Sequence, residues 1–530
     1  MSHHTARSSS NGNSCNVVEV SRGIRLVELL SALSLTTDLG AGMPFEKGLR
    51  TCVAASAFAS AAGLPLDEQR AVFQTALLRS IGCTAHAPEN AAVFGDDMRF
   101  QRAFKELDPA DWATFSARFG EWDPARQQEL LNLVVKETPT TGAHAARSGC
   151  EVSRALGTQL GIEPAAVRAL DDVYERWDGR GIPDGRAGDE VNWIARVVHV
   201  AEQAVLAHSR GGEAAARGEV ARRAGGHLDP ELCSLFSVHC EQVLGALAAP
   251  DMLAAVLAAE PPPAAFVNLH ELDSLCTALA IFTDLKGLHL VGHSPHVAEL
   301  AAGAARLMGM DEPAAGEVHA AGLLHDLGRT AISSEIWDRP GPLGPGDQER
   351  VRLHSYWTER ILVRCPAVAQ LAPLAAAHHE RLDGSGYHRN ARSQELDPAR
   401  RVLAAADEFA AMTESRPYRP ALSTAAAARE LLADASAGKL DASAAAAVIE
   451  AAGLPRPRAA WPCDLTDREV DVLRLCACGM TNREIAATLV VSDRTVQHHL
   501  ASIYDKTGRR TRAGAAVFAV EHGLAGWPAG

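Results

Sequence analysis

The sequence predicts an all-α protein. Apolar residues recur at steps of three and four, as in Val297, Leu300, Ala301, Ala304, Leu307 and Met308, which gathers them on one face of a helix. Alternating strand patterns are scarce. The alanine-rich stretches Thr424–Ala428 and Ala442–Ala447 read as ordinary helices, because alanine has the best helix propensity and Leu, Val and Ile interrupt the runs. Prolines mark two joints, at Glu260–Pro263 and at Gly453–Pro462. They divide the chain into 21–258, 264–452 and 464–530, after a polar arm, 1–20, that is expected to be disordered.

A length of 530 residues suits about three domains. With 47% hydrophobic and 22% charged residues the chain is neither mainly disordered nor collagen-like. The N-terminus lacks an apolar core of the kind signal peptides carry, and no uninterrupted apolar run reaches about 18 residues. A cytoplasmic protein with no membrane partner is the expectation. The 11 cysteines are scattered, without a CxxC pair, and read as reduced core thiols. The formal charge of −14, taken whole, argues against a nucleic-acid binder.

An internal repeat organises the first two segments. Thr37-Asp-Leu-Gly40 matches Thr283-Asp-Leu-Lys286, and Leu77-Leu-Arg-Ser-Ile-Gly82 matches Leu323-Leu-His-Asp-Leu-Gly328, both at an offset of 246. Glu175-Arg-Trp-Asp-Gly-Arg-Gly181 matches Glu380-Arg-Leu-Asp-Gly-Ser-Gly386 at 205, so the first copy carries 41 additional residues between Cys83 and Glu175. The segments read as tandem copies of one helical unit.

The second copy concentrates His293, His325, Asp326, His354, His378, His379 and Asp407 in helical context. Imidazole and carboxylate together suit iron, manganese or zinc, and an aspartate between two ions can bridge them. One histidine on an apolar helix is more often a hydrogen-bonded core residue; seven such groups within one helical unit point to metal.

The runs Leu323-Leu-His-Asp-Leu-Gly328, His378-His-Glu-Arg-Leu-Asp-Gly-Ser-Gly-Tyr387, Ala406-Asp407 and Arg416-Pro-Tyr-Arg419 resemble the HD-GYP family of metal-dependent cyclic-dinucleotide phosphodiesterases, over about His289 to Leu422. The resemblance implies a cyclic dinucleotide partner and two divalent ions, iron or manganese, held by the seven residues above with Asp326 bridging. It implies Asp326 and Arg329 as catalytic residues. Arg329, Tyr387, Arg416 and Arg419 are then the substrate-binding set, the arginines holding phosphates. His289 is a further, weaker ligand candidate.

The chain departs from the family pattern in four places. Arg329 replaces a lysine, His388 replaces the proline of Gly-Tyr-Pro, Asn390 to Ser393 replace glycines, and Ala410 replaces an acidic residue. Loss of the proline is expected to loosen a loop that recognises the dinucleotide. In the first copy the ligand positions become Lys47, Arg79, Ser80, Val173 and Tyr174, and only Glu202 stays acidic, matching Asp407. Cations cannot ligate cations, so this degenerate HD copy is expected to be catalytically dead. It nevertheless keeps the loop in Gly181-Ile-Pro183 and Gly185-Arg-Ala-Gly188, which leaves open a ligand-sensing role beside a purely structural one.

From Leu465 the pattern changes. Thr466 and Glu469 form a capping box, Gly479 is expected to end the helix, and short helices over Asn482–Leu489 and Asp493–Tyr504 frame a tight turn. Leu465-Thr466, Arg468-Glu469, Gly479, Asn482, Glu484-Ile-Ala486, Ser492, Thr495-Val496 and Lys506 resemble a LuxR-type helix-turn-helix domain of four small helices. The resemblance implies DNA as partner, with Gln497 and His498 (and Ala501) facing bases and Ser492, Arg494, Thr495, Lys506 and Arg509 near phosphates. Arg494 to Arg512 carries five basic residues against one acidic. The whole-chain charge therefore belongs to the region before residue 464. The expectation is a homodimeric DNA-binding regulator that hydrolyses cyclic di-GMP or a related cyclic dinucleotide. The rivals are a regulator that senses a nucleotide or metal without turnover, and a phosphohydrolase of another nucleotide.

Overall fold

A computed structural model describes residues 23–122, 124–456, 461–522 and 524. The expected N-terminal arm lies outside them, as does Cys15. The described fold is helical throughout apart from a two-stranded antiparallel pairing, Ile24 opposite Val267 and Arg25 opposite Phe266. None of its helices is long and apolar enough to cross a membrane. All ten described cysteines are free; eight are buried, whereas Cys463 and Cys478 are exposed and so are not core thiols.

The two copies fold alike, element for element. Helices Lys47–Ala61 and Leu66–Leu78 recur as His293–Leu307 and Glu312–Leu324, shifted by the same 246 positions as the sequence motifs. Each entry into the first of these turns through a left-handed residue, Glu46 and Gly292 respectively. A buried carboxylate braces that turn in both copies: Asp38 accepts from Gly48 N, and Asp284 accepts from Ser294 N. After the insertion the 205 offset takes over. Helix Ala143–Gln159 corresponds to Pro345–Leu362, and Trp193, capped by Asn192, corresponds to Pro398, capped by Asp397.

The insertion lies between Cys83 and Gly149, since Gly149 already pairs with His354 at the later offset. Helices Ala87–Phe94, Asp97–Glu106, Trp112–Trp122 and Gln127–Glu137 build it around their own small core of Phe94, Phe115, Leu130 and Val134.

A single apolar core runs through both copies, which face each other with the same surfaces. Helix Leu26–Gly40 of the first packs on Pro345–Leu362 of the second, and Leu269–Asp284 of the second packs on Ala143–Gln159 of the first. Cys365 Sγ meets the Glu28 carbonyl at 3.2 Å, and a corresponding contact, one residue out of register on the second helix pair, joins Gln159 Nε2 to the Ser274 carbonyl at 3.3 Å. The arrangement is that of a two-fold dimer contained in one chain. At its centre Lys286 and Asp97, both fully buried, form an ion pair at 2.5 Å. The Ser333 hydroxyl and the Ser334 N–H also donate to Asp97, so the buried charges are fully partnered.

The C-terminal module has its own core of Trp461, Val470, Leu473, Ile485, Val496, Ile503 and Phe518. It rests on helix Ala442–Ala451, where Arg474 donates to Ser443 Oγ at 3.0 Å.

Candidate metal centre and helix-turn-helix

Four helices and two turns of the second copy bring all seven candidate ligands together. His293 opens helix His293–Leu307, His325 ends Glu312–Leu324, His354 sits within Pro345–Leu362 and Asp407 within Pro398–Thr413. Asp326 and the His378-His379 pair lie at helix ends, where adjacent side chains are free of the helical period. All but His379 are at most 2% exposed.

The groups divide into two triads around Asp326. His293, His325 and Asp407 offer atoms to one point, and His354, His378 and His379 to another. Asp326 Oδ2 faces the first, 3.1 Å from His325 Nε2 and 3.6 Å from His293 Nε2. Its Oδ1 faces the second, 3.5 Å from His354 Nε2 and 3.6 Å from His378 Nε2.

Backbone carbonyls fix the rings. Nδ1–H of His325, His354 and His378 donates to the carbonyl three residues earlier, Gly322, Val351 and Ala375, at 2.7, 2.5 and 2.7 Å. Each Nε2 is thereby left with its lone pair toward the centre. His293 instead turns Nδ1 to Glu414 at 2.9 Å.

His293 Nε2, His325 Nε2, both Asp326 oxygens and Asp407 Oδ1 are buried without a hydrogen-bond partner. Such a cluster is costly unless a cation satisfies it, so the donor set fits divalent metal. Burial pushes the His354 and His378 imidazoles down to about 4 and 3, keeping them in the neutral, ligating form. Burial also opposes charge on His325, but Asp326 and Asp407 outweigh it and raise that group to about 10. Both carboxyls stay well below the usual range despite burial, Asp326 through Arg329 and His325, Asp407 through its imidazole neighbours.

The expected substrate residues divide. Tyr387 packs on His379 with ring centroids 4.7 Å apart and walls the centre. Arg416 reaches its edge, 2.9 Å from Glu414 and 3.4 Å from His293 Nδ1. Arg329 is held at the centre itself, its Nε 2.7 Å from Asp326 Oδ2 and its guanidinium over Trp337. Arg419, expected at phosphate, is elsewhere: it donates to the carbonyls of Ala411, Met412 and Glu414, closing the end of helix Pro398–Thr413. His289 is exposed and stands outside the ligand cluster. Sequence reasoning missed Glu414 and Trp337. The acidic residue two before Arg416 was the only signal for Glu414; nothing local marked Trp337.

The loop after Tyr387 keeps the form of its counterpart in the first copy despite the lost proline. Buried Glu380 accepts from the N–H of Arg389 and Ala391, as Glu175 accepts from Asp184 and Arg186 in the first copy. Asn390 takes the left-handed backbone, φ 55°, that Gly185 takes there, φ 68°; asparagine tolerates it best after glycine. His388 itself is tied to Glu359 at 3.0 Å. The loop therefore hangs on a carboxylate, where the family pattern has a proline.

In the first copy the centre is replaced by an ion cluster. Lys47 and Arg79 both pair with Glu202, the acid at the Asp407 position. The cations stand where metal would balance the carboxylate.

A family model for the HD domain matches residues 280–444. Residues 280–444 are an HD domain. A second model, for bacterial regulatory proteins of the LuxR family, matches residues 464–519, which makes the C-terminal module a LuxR-type helix-turn-helix. The chain is 27% identical over 406 residues to 3'3'-cGAMP-specific phosphodiesterase 3 of Vibrio cholerae serotype O1, covering 75% of this chain and 88% of that protein. It is 34% identical over 164 residues to a cyclic di-GMP phosphodiesterase of Thermotoga maritima, which takes in 31% of this chain and 44% of that one. A crystal structure of a V. cholerae cyclic GMP-AMP phosphodiesterase, V-cGAP3, superposes with a TM-score of 0.57 at 23% identity, over 82% of this chain and 99% of that one. That coverage exceeds the HD domain alone, so the fold likeness takes in both copies.

The LuxR-type module forms as its caps dictate. Thr466 with Glu469 and Thr481 with Glu484 make capping boxes, and Gly479 takes φ 85° just past the first helix. The third helix, Asp493–Thr507, runs three residues beyond expectation to Gly508, where the left-handed turn ends it. Arg494, Gln497 and His498 are exposed along it, and Ser492 caps it by accepting from Thr495 N at 3.1 Å. Lys506 and Arg509 are less free than expected: Lys506 donates to Glu469 at 2.7 Å and the Asp464 carbonyl at 2.9 Å, and Arg509 pairs with Glu521 at 2.7 Å.

Proposed function

We propose that this protein is a DNA-binding regulator whose HD domain hydrolyses a 3',5'-linked cyclic dinucleotide at a two-metal centre. The observation that carries the reading is Asp326, one of whose carboxylate oxygens faces the unpartnered His293 and His325 Nε2 atoms, and the other the His354 and His378 Nε2 atoms, which lie 2.9 Å from each other. His293, His325 and Asp407 would hold one ion, His354, His378 and His379 the other, with Asp326 between them. When bound, such a pair supplies Lewis acidity at the phosphodiester and lowers the pKa of a water.

The remaining work belongs to the chain. Carbonyl-bound Nδ1–H groups orient three of the rings toward the centre. Arg329, its guanidinium over the Trp337 ring, positions Asp326 through an ion pair to its Oδ2. Arg416 supplies positive charge where a phosphate enters, and Tyr387 offers a ring face on which a base can stack. The names of the relatives, 3'3'-cGAMP and cyclic di-GMP phosphodiesterases, support this substrate class.

The LuxR-type module is the output. Gln497 and His498 are placed to read bases and Arg494 to meet phosphate, and two copies would pair on two half-sites. The test is turnover of cyclic di-GMP and 3'3'-cGAMP by the iron- or manganese-loaded protein beside Asp326→Ala. Hydrolysis lost in the variant supports the reading, and equal rates overturn it. Tight binding of either dinucleotide with no turnover by the wild type would make the HD domain a sensor instead. Operator affinity measured with and without the dinucleotide then reports coupling by linkage.

A further inference from the structure

The degenerate copy contains a cavity of about 280 Å³. The insertion supplies one wall, where Phe94 and Phe100 stack at 3.9 Å and Phe104 follows at 4.7 Å. Opposite lies the site that corresponds to the metal centre: Arg79, Glu202 and Gln203 from the repeat, with Lys105 from the insertion. Two polar atoms there, Arg79 Nε and Gln203 Oε1, are buried without a partner, on side chains 7% and 2% exposed. The Lys105 ammonium has the Ser80 hydroxyl at 2.9 Å as its hydrogen-bond acceptor. Glu202 faces three cations, Lys47, Arg79 and Lys105, two of which also interact with the buried Asp38. Glu137 at the rim is already engaged by Lys136 and Thr141.

We propose that this cavity binds a small aromatic anion, its flat apolar body against the phenylalanine wall and its single acidic group against Lys105 and Arg79. Three features point to that class. The wall is aromatic and the lining mostly apolar, as in ligand pockets generally. The floor gathers three cations, Lys47, Arg79 and Lys105, against Glu202 and the buried Asp38, whose carboxyl burial raises to about 7, so the cations outnumber the acids. The volume, about 280 Å³, falls just below the about 300–1,000 Å³ typical of such pockets, and the single cationic floor suits one acidic group, so a cyclic dinucleotide with two bases and two phosphates does not fit. Loss of the metal ligands thus left a pocket that the insertion roofed over. The ligand differs in kind from the substrate of the HD domain, and the proposal stands whether or not that domain turns over.

The test uses the full-length protein and two dyes. 1-Anilinonaphthalene-8-sulfonate carries one sulfonate, and N-phenyl-1-naphthylamine is its uncharged counterpart. Fluorescence titration is expected to saturate at one sulfonate dye per chain, at least tenfold tighter than the neutral dye. Lys105→Gln is expected to remove that preference. Ala145→Trp, which fills the cavity from helix Ala143–Gln159, abolishes binding of both dyes; Gln101→Trp does the same from the opposite wall should the first variant lose its helical circular dichroism. His325→Ala, in the metal centre, leaves both titrations unchanged. No saturable binding by the wild type, undiminished binding in the folded tryptophan variants, or an unaltered preference in Lys105→Gln would each overturn the proposal.

Discussion

Gly328 sits where the turn after Asp326 crosses the helix that carries His354, and replacing it by alanine tests how the metal centre is held. A Cβ there would lie 1.9 Å from the His354 carbonyl oxygen and 2.6 Å from Thr358 N. Ordinary contact begins near 3.4 Å, so turn and helix must part by about 1.5 Å. Neither atom is the end of a flexible side chain. The same crossing is pinned by Gly328 N–H donating to Thr358 Oγ1 at 2.9 Å and by that hydroxyl donating to the His325 carbonyl at 2.8 Å. Overpacking costs about 1–3 kcal/mol, and rigid backbone on both sides puts Gly328→Ala near the upper end. Metal–ligand distances tolerate only about 0.2 Å, so His354 would leave its triad. Denaturant unfolding with metal analysis by mass spectrometry is expected to report about 3 kcal/mol of lost stability and at least half the bound metal gone. Gly82→Ala repeats the clash in the first copy, its Cβ 2.1 Å from the Gly149 carbonyl, and should cost similar stability with metal retained. Gly316→Ala, in an exposed helical position with nothing within 4 Å, should stabilise by about 0.5–1 kcal/mol. Full metal content and wild-type stability in Gly328→Ala would refute this account of the crossing.

Glu202→Gln leaves Lys47 and Arg79 buried without their counter-ion; urea unfolding should show a loss of about 3–5 kcal/mol, and a neutral result would mean the cluster is solvated. Glu469, 4% exposed, is opposed by burial but drawn down to about 2 by Lys506, Ser502 and Thr466. Its folded pKa is depressed, so its contribution is full above about pH 4.5 and fades as pH falls toward 2, a ceiling of about 3 kcal/mol. The stability gap between wild type and Glu469→Gln should accordingly close over that window. Arg494→Ala should weaken binding to all DNA sequences alike and lower the salt slope by about 1 in anisotropy titrations, whereas a sequence-dependent loss would place Arg494 at a base.

Much of this was legible because the chemistry is periodic and repeated. The ligand positions fell on helices and helix ends that recur at two offsets, 246 and then 205, so the two copies checked each other, and the Thr466 capping box announced its helix by local bonding alone. Arg419 and Lys506 misled because a cation's partner is set by tertiary packing: one meets helix-end carbonyls, the other Glu469. What holds the loop of His388 was hidden for a related reason, since its support comes from Glu380, several residues away and itself unremarkable in sequence. The site of the insertion was blurred because Gly149, where the later register begins, belongs to no motif.

The corresponding contacts between the copies, Cys365 with Glu28 and Gln159 with Ser274, carry a consequence for stoichiometry. A symmetric pair of identical HD domains would hold two metal centres and present two equal outputs. Here the pair is covalent, so one half keeps the ligands while the other is released from them without breaking the assembly that both need. On the proposed reading each chain would carry one candidate metal centre and one DNA-reading helix for its two helical copies. The pairing face is also spent internally, so if two chains pair on two half-sites, as proposed, they would meet through some other surface.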